Sequence, residues 1–418
     1  GVSVMNKRDV LELKKRHTKK DCPFTKMSGC YVNSNKEIVL SFTEDFRDLR
    51  EEEYYKYLDI ASKILSGTIG NNLLKLDFSN EAEEVGAIQQ MLLGIRESSL
   101  LNEGLLDTFY KHVIDNFYYV GNYLILLFKD IYDVPAKTKD NFKTGESDEV
   151  YEYILCAICP VDLSKPALQY LEGESRIGAR VRDWIVGMPE TGFVFPCFDE
   201  RSANIHSTLF YSKNTKEPHV DFMEEVLLCK GKKTTTEKKQ VFKSIVINSS
   251  ENDEKGEALF TTIQGGLNDI LINEQIDETE SSDGYQPVLT KEAILMLNDY
   301  VDIPKNITEH IAKAWEEELN EQEAPQIKQI VEKKLVNEAN HIETERSLVK
   351  ENAALRKQLN IHESFNENEE DHDDDVILRV SKKKEAEITY KVVEGQKYIL
   401  IPINDESKTF INGKEFEE

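Results

Sequence analysis

Cysteine, tryptophan and long apolar runs are all scarce in this 418-residue chain, which holds six Cys and two Trp. Six Cys are too few for a disulfide scaffold at this length. No apolar run approaches the ~20 residues that cross a bilayer, and the first residues carry no signal-peptide core. Positive charge is also in deficit. There are 52 Lys+Arg against 78 Asp+Glu, a net charge of −26. Such a charge disfavours bulk attraction to nucleic acid or anionic membranes. No repeat of fixed period is visible. These absences lead to the expectation of an acidic, cytoplasmic, multidomain protein with no membrane contact.

What is present suits a folded body with solvated arms: 39% of residues are hydrophobic and 31% charged. The length allows two or three domains. Residues 1–4 fit no pattern and are excluded. After the candidate N-cap Asn6, Val10, Leu11 and Leu13 read as a short amphipathic helix. Residues 30–32 and 38–42 flank a polar turn as a β-hairpin. Residues 51–65 repeat apolar side chains at helical spacing, stopped by Gly67. A strand at 73–78 and helices at 81–96 and 101–116 follow. The runs 123–128 and 151–161 are continuously apolar, the mark of strands buried on both faces. Strands at 192–198 and 206–211 are joined by a polar loop, with Pro196 marking an edge strand or a bulge. Helices are expected at 218–228, 237–247 and 256–272.

The resulting expectation is an α/β or α+β main body over 5–272, then a linker at 273–286. A helical segment covers 287–362: a helical hairpin broken at 302–304, then one long helix over 326–359. An acidic linker at 363–375 and a small β module at 376–418 complete the chain. The long helix is the expected contact for protein partners, and the oligomeric state is left open.

Four groups of residues carry possible chemistry. Cys156 and Cys159 have Cys-x-x-Cys spacing but lie inside an apparent strand, where residues three apart face oppositely. They read as buried thiols, with no metal expected. Asp199, Arg201, Ser202, Asn204 and His206 crowd one loop. Asp199, Ser202 and His206 are the candidates for catalysis, although no Gly-x-Ser-x-Gly elbow is present. Arg176, Arg180 and Arg182 surround Gly178 beside Trp184. With Arg201 they are candidates for anion binding, since the guanidinium fork suits phosphate and an exposed Trp could stack a base. The lysines at 230, 232, 233, 238, 239 and 243 form a basic stretch able to meet RNA phosphates, or a solvated loop. No cofactor is implied. Residues 66–72 lack the Gly-Lys-Ser/Thr ending of a P-loop.

Two stretches are the most distinctive: Gly178-Ala-Arg-Val-Arg-Asp-Trp-Ile-Val-Gly187 and Gly192-Phe-Val-Phe-Pro-Cys-Phe-Asp-Glu-Arg-Ser-Ala-Asn-Ile-His206. With Leu65-Ser-Gly-Thr-Ile-Gly-Asn-Asn72 and Tyr151-Glu-Tyr-Ile-Leu-Cys-Ala-Ile-Cys-Pro160, they resemble an uncharacterised family of anaerobic Gram-positive bacteria, carried as a domain of unknown function. The likeness runs from Met5 to the C-terminus. It implies a bacterial cytosolic protein and no particular chemistry. The leading expectation is a binding or regulatory protein without a catalytic motif. An RNA- or ribosome-associated factor is the first alternative, and a hydrolase centred on residues 199–206 the second.

Overall fold

The computed structural model describes residues 7–18, 20, 23–137, 143–277, 287–319, 323–358, 388–393, 396–400, 409–411 and 414–416. The acidic run at 363–375 lies outside the described residues. Two compact units divide the chain, 1–346 and 347–418.

The first unit opens with α1 (Lys7–Lys14), the hairpin β1 (Lys26–Val32) and β2 (Ile38–Asp45), and α2 (Glu51–Ile64). Next come β3 (Leu73–Asp77), α3 (Ile88–Glu97), α4 (Glu103–Asn116) and two long strands, β4 (Asn122–Lys137) and β5 (Lys143–Leu163). Short strands follow: β6 (Leu168–Leu171), β7 (Arg176–Ala179), β8 (Trp184–Val186), β9 (Thr191–Phe195), β10 (Cys197–Asp199), β11 (Ser202–Asn204) and β12 (Ser207–Ser212). The main sheet has the order β2-β1-β4-β5-β9-β12-β3, with β8 added to the end of β5. All its strand pairings are antiparallel. The fold is therefore of the mixed α+β kind.

Alternation along the strands divides the core in two. Ile125, Leu127, Ile154, Cys156 and Ile158 face α3 and α4. Leu124, Leu126, Leu155, Ala157 and Cys159 face the side of α1 and α2. The continuous apolar runs arise because both sheet faces are covered. Each large side chain so buried contributes roughly 1.5–3 kcal/mol.

Two local expectations change. β9 is an interior strand between β5 and β12, so Pro196 marks no edge. It sits just past the last ladder pair, Ile154 with Phe195, where a missing N–H costs no ladder bond. The expected helix at 218–228 is instead a π turn at Phe222–Val226, with Leu227 N donating to the Phe222 carbonyl at 3.0 Å.

A third core joins α5 (Thr235–Asn248) and α6 (Asp253–Asp277) to α7 (Lys291–Met296), α8 (Lys305–Glu318) and α9 (Ile327–Ile330). Trp315 is its largest member, packed edge-on to Phe242 at 5.3 Å, with Nε1 donating to the Leu289 carbonyl at 2.7 Å. The expected single long helix is broken: α9 ends at Ile330, and α10 (Lys333–Gln358) starts anew. The buried Gln264 side chain accepts a bond from Glu332 N at 2.7 Å, satisfying a donor at the break. Gly266 of α6 lets the chain pass close to Leu297 and Val301, since a Cβ there would lie 2.9 Å from Leu297.

In the second unit, the described C-terminal part of α10 exposes Leu348, Val349 and Leu355. β13 (Thr389–Val393) pairs antiparallel with β14 (Gln396–Leu400), and β15 (Thr409–Ile411) with β16 (Lys414–Phe416). Tyr390, Val392, Tyr398 and Ile399 are exposed, as a module too small for its own core requires.

Candidate functional site

The loop at 199–206 is itself a small hairpin. β10 and β11 pair Asp199 with Ser202, and the turn places Glu200 and Arg201 at φ of 51° and 64°. Left-handed backbone at two successive turn positions matches the twist of the flanking strands. Asn204 accepts from His206 N at 3.0 Å within the loop, and the charged groups and Ser202 are committed elsewhere. Arg201 grips Glu12 of α1 through Nε at 3.1 Å and a terminal nitrogen at 3.0 Å, and also donates to the Pro135 carbonyl at 2.6 Å. Glu12 accepts the Tyr132 hydroxyl at 2.7 Å. Asp199 is ion-paired with Lys75. Ser202 donates to Glu149 at 3.0 Å, whereas the exposed His206 meets Glu83 at 2.8 Å. Ser202 and His206 thus contact different carboxylates, and no Ser–His bond activates a nucleophile.

Beneath this hairpin the carboxyl of Asp9 is buried and held above its ordinary range, first by desolvation and then by the nearby Glu12 and Asp199 charges. Bonds from the Glu200 and Arg201 backbone amides oppose that rise. The arrangement is a latch that fastens α1 to the end of the sheet.

The three arginines lie on an arm that leaves the sheet after β5. In it β6 pairs with β7. Leu168 and Tyr170 stand opposite Ala179 and Ile177, so one face of the little hairpin is apolar. Arg176 pairs with Glu174 at 2.5 Å, and Arg182 donates to the Ser164 carbonyl at 2.7 Å. Arg180 N bonds the Ala167 carbonyl at 2.8 Å. Trp184 is 56% exposed. Where the arm returns along β5, Val186, Gly187 and Met188 face Tyr57 and Ile60 of α2 across an open groove of about 690 Å³. Glu52, Glu53 and Asp59 give the groove an acidic wall, with Lys56 among them. The sequence reading missed this groove. The alternation Leu168, Tyr170 before the turn and Ile177, Ala179 after it signals the neighbouring hairpin, not the groove, whose walls are far apart in sequence.

The basic stretch is not a free loop. Lys232 pairs with Asp77, Lys233 with Glu318, Lys239 with Glu332 and Lys243 with Glu257, at 2.8–3.2 Å. Lys238 donates to the Glu323 carbonyl at 2.7 Å. Lys230 lies 4.0 Å from Glu323. Its positive charge is spent inside the first unit, as a seam along α5.

Cys156 and Cys159 are buried, unpaired and on opposite sheet faces. Burial raises both thiols, Cys159 up to about 12, so neither is a thiolate near neutrality. Among the described residues no cluster of His, Cys, Asp and Glu could hold a metal ion.

Fold and surface together define an α+β scaffold with a three-layer body, a helical core and an exposed β arm. Among the described residues, no helix is long and apolar enough to cross a membrane. The chain belongs to the family described as a domain of unknown function, DUF4317, whose model matches residues 5–414. This bears out the membership expected from the motifs at 178–187 and 192–206. No curated protein matches the chain.

Proposed function

We propose that this is a non-catalytic binding or regulatory protein of the bacterial cytoplasm, and that its docking surface is the arm at 163–188. One observation carries the reading: Leu168, Tyr170, Ile177, Trp184, Ile185 and Val186 are all exposed on ordered strands of one arm. Exposed apolar side chains gathered on one arm mark an interaction site, and aromatic anchors dominate such sites. The acidic groove beside the arm suits a protein segment carrying apolar side chains flanked by basic ones. The exposed Leu348, Val349 and Leu355 of the second unit supply a further protein-binding stripe. The alternative of an RNA- or ribosome-associated factor is supported by Arg180 and Arg182 lying close in sequence before the exposed Trp184.

Affinity purification from the native cell separates these readings. The bait is the full chain, either wild type or carrying Tyr170→Asp with Ile177→Asp, and each is used with and without nuclease. A discrete protein retained by wild type, indifferent to nuclease and lost with an equally stable variant, is the expected result. Retention abolished by nuclease moves the assignment to RNA. Identical captures by both baits overturn the arm as the site.

A further inference from the structure

The arm carries one strand whose two faces differ in chemistry. Along Arg176-Ile-Gly-Ala-Arg-Val-Arg182 the basic residues are separated by apolar ones, with no acid among them. The ladder with β6 runs without a bulge from Arg176 to Ala179, and the bond from Arg180 N to the Ala167 carbonyl carries the same register one step on. Ile177 and Ala179 therefore share one face, and Arg176 and Arg180 the other. Gly178 gives the Arg176 guanidinium room, since a Cβ there would lie 2.6 Å from one of its nitrogens. Beyond the ladder, Val181 is 71% exposed. Among the described residues no strand pairs the outer side of β7.

The groove at the base of this arm has the complementary chemistry. Its lining is apolar at Tyr57, Ile60, Leu124 and Met188, and acidic at Glu52, Glu53 and Asp59 around Lys56. Glu52 and Asp59, seven residues apart, lie on one side of α2. A volume of about 690 Å³ is that of a ligand site, and it admits a few large side chains rather than a folded domain. It suits a short extended segment that is apolar on one side and basic on the other. The lysines at 230–243 are spent on carboxylates of their own unit. The strand at 176–182 presents that pattern on the surface. Within one copy Ile177 stays 62% exposed and the groove stays open, so the two surfaces are not spent on each other.

We infer that this chain pairs with a second copy by exchanging arms: residues 176–182 of each copy seat in the groove of the other. The inference rests on the arm being a docking surface and names its occupant. Ile177 and Val181 bring the apolar contact, and Arg180 and Arg182 meet the acidic wall of α2 in the second copy. A two-fold interface must be complementary to itself, and a basic segment beside an acidic groove meets that condition. Arm and groove adjoin at Val186, Gly187 and Met188, so one axis beside β8 serves both exchanges and closes the pair.

Sedimentation equilibrium of the full chain tests this, with circular dichroism melts confirming that each variant folds. Wild type is expected to weigh twice 48.1 kDa. Arg180→Glu with Arg182→Glu reverses the arm, and Glu52→Lys with Asp59→Lys reverses the groove. Each double change should raise the dissociation constant by ~100-fold. Mixed in equal amounts, the two variants should pair again to within ~10-fold of wild type, because one exchange is then native and the other has both its charges reversed. Glu52 and Asp59 are exposed, so the groove variant reads the contact even if the arm variant folds poorly. A monomeric wild type overturns the inference. So does a dimer indifferent to both double changes, or a mixture no heavier than its parts. A monomer that still captures a protein through Tyr170 and Ile177 overturns the exchange alone and leaves the arm a docking surface, whereas capture indifferent to those two residues removes both readings.

Discussion

The two basic segments of this chain look alike in composition and are used in opposite ways. The lysines at 230–243 lie against carboxylates of β3, α6, α8 and the approach to α10, and their charge closes a seam. Among the described residues, the arginines at 176–182 have one carboxylate partner, Glu174, and otherwise bond backbone carbonyls of their own arm through Arg182 and the Arg180 amide. The difference lies in what the fold brings opposite each run. A positive cluster means nothing until its counter-charges are located, and here the denser cluster is the structural one.

The chain's two tryptophans, one in each region, offer the sharpest test. Trp315 fills the core under the seam, and Trp184 stands on the arm. Trp315→Ala should cost ~3–5 kcal/mol, as large-to-small changes of buried aromatics do. Trp184→Ala should stay within ~0.5 kcal/mol, as for surface changes. Urea melts measure both. A Trp184 variant as damaged as the Trp315 variant would turn the arm into core and break the comparison.

Acid sharpens it further, because lysine and arginine keep their charge below neutrality. His17 sits in the body against Phe24, with Nε2 3.1 Å from the Tyr153 hydroxyl. Burial, with Arg16 and Lys14 nearby, lowers its pKa to about 3. The folded state holds the neutral ring. Its contribution is complete above pH 6.5 and is lost as pH falls towards 3. At ~1.4 kcal/mol per unit that loss reaches about 5 kcal/mol. His17→Phe should flatten the stability profile between pH 6 and 4 in melts run across that range, and an unchanged slope would contradict the burial argument.

The seam's anchor gives a smaller effect. Thr234 caps α5 reciprocally: its hydroxyl accepts from Glu237 N at 3.1 Å, while Glu237 accepts from Thr234 N at 2.7 Å. The same hydroxyl donates to the Thr215 carbonyl at 2.6 Å. Thr234→Ala should cost about 1–2 kcal/mol, whereas Thr→Ser should keep most of it. Equal losses in both would mean the methyl group, not the oxygen, does the holding.

What could be read in advance follows a physical line. Strand alternation is local, so sequence alone puts Cys156 and Cys159 on opposite faces, and the structure places them so. The helical hairpin of α7 and α8 is legible from the break at residues 302–304. The seam was not, because Lys233 and Glu318 lie 85 residues apart and nothing local links them. Nor was the break before α10, which has no proline or glycine in it and is held by the distant side chain of Gln264. The strand order was equally hidden, since β3 reaches its edge position only by pairing with β12. Of the loop at 199–206, sequence showed the density of polar groups but not that Glu12, Lys75, Glu83 and Glu149 were waiting for them.

The finest test isolates one stitch of the seam. Lys239 Nζ lies 2.8 Å from Glu332, with the two side chains 29% and 41% exposed. Partial exposure keeps the local dielectric high, so the pair should couple by only about 0.5 kcal/mol. A cycle of Lys239→Ala, Glu332→Gln and the double variant extracts that term from chemical melts. Screening should erase most of it at high salt, because the Debye length shrinks to ~3 Å at 1 M. Lys239→Ala should meanwhile leave any partner capture by the arm unchanged, since the residue is spent within the body. Arg182→Ala should do the reverse, altering capture while leaving the melt in place. If Lys239→Ala instead abolished capture with its coupling to Glu332 near zero, the lysine stretch would be a binding surface after all, and the roles assigned to the two basic segments would have to be exchanged.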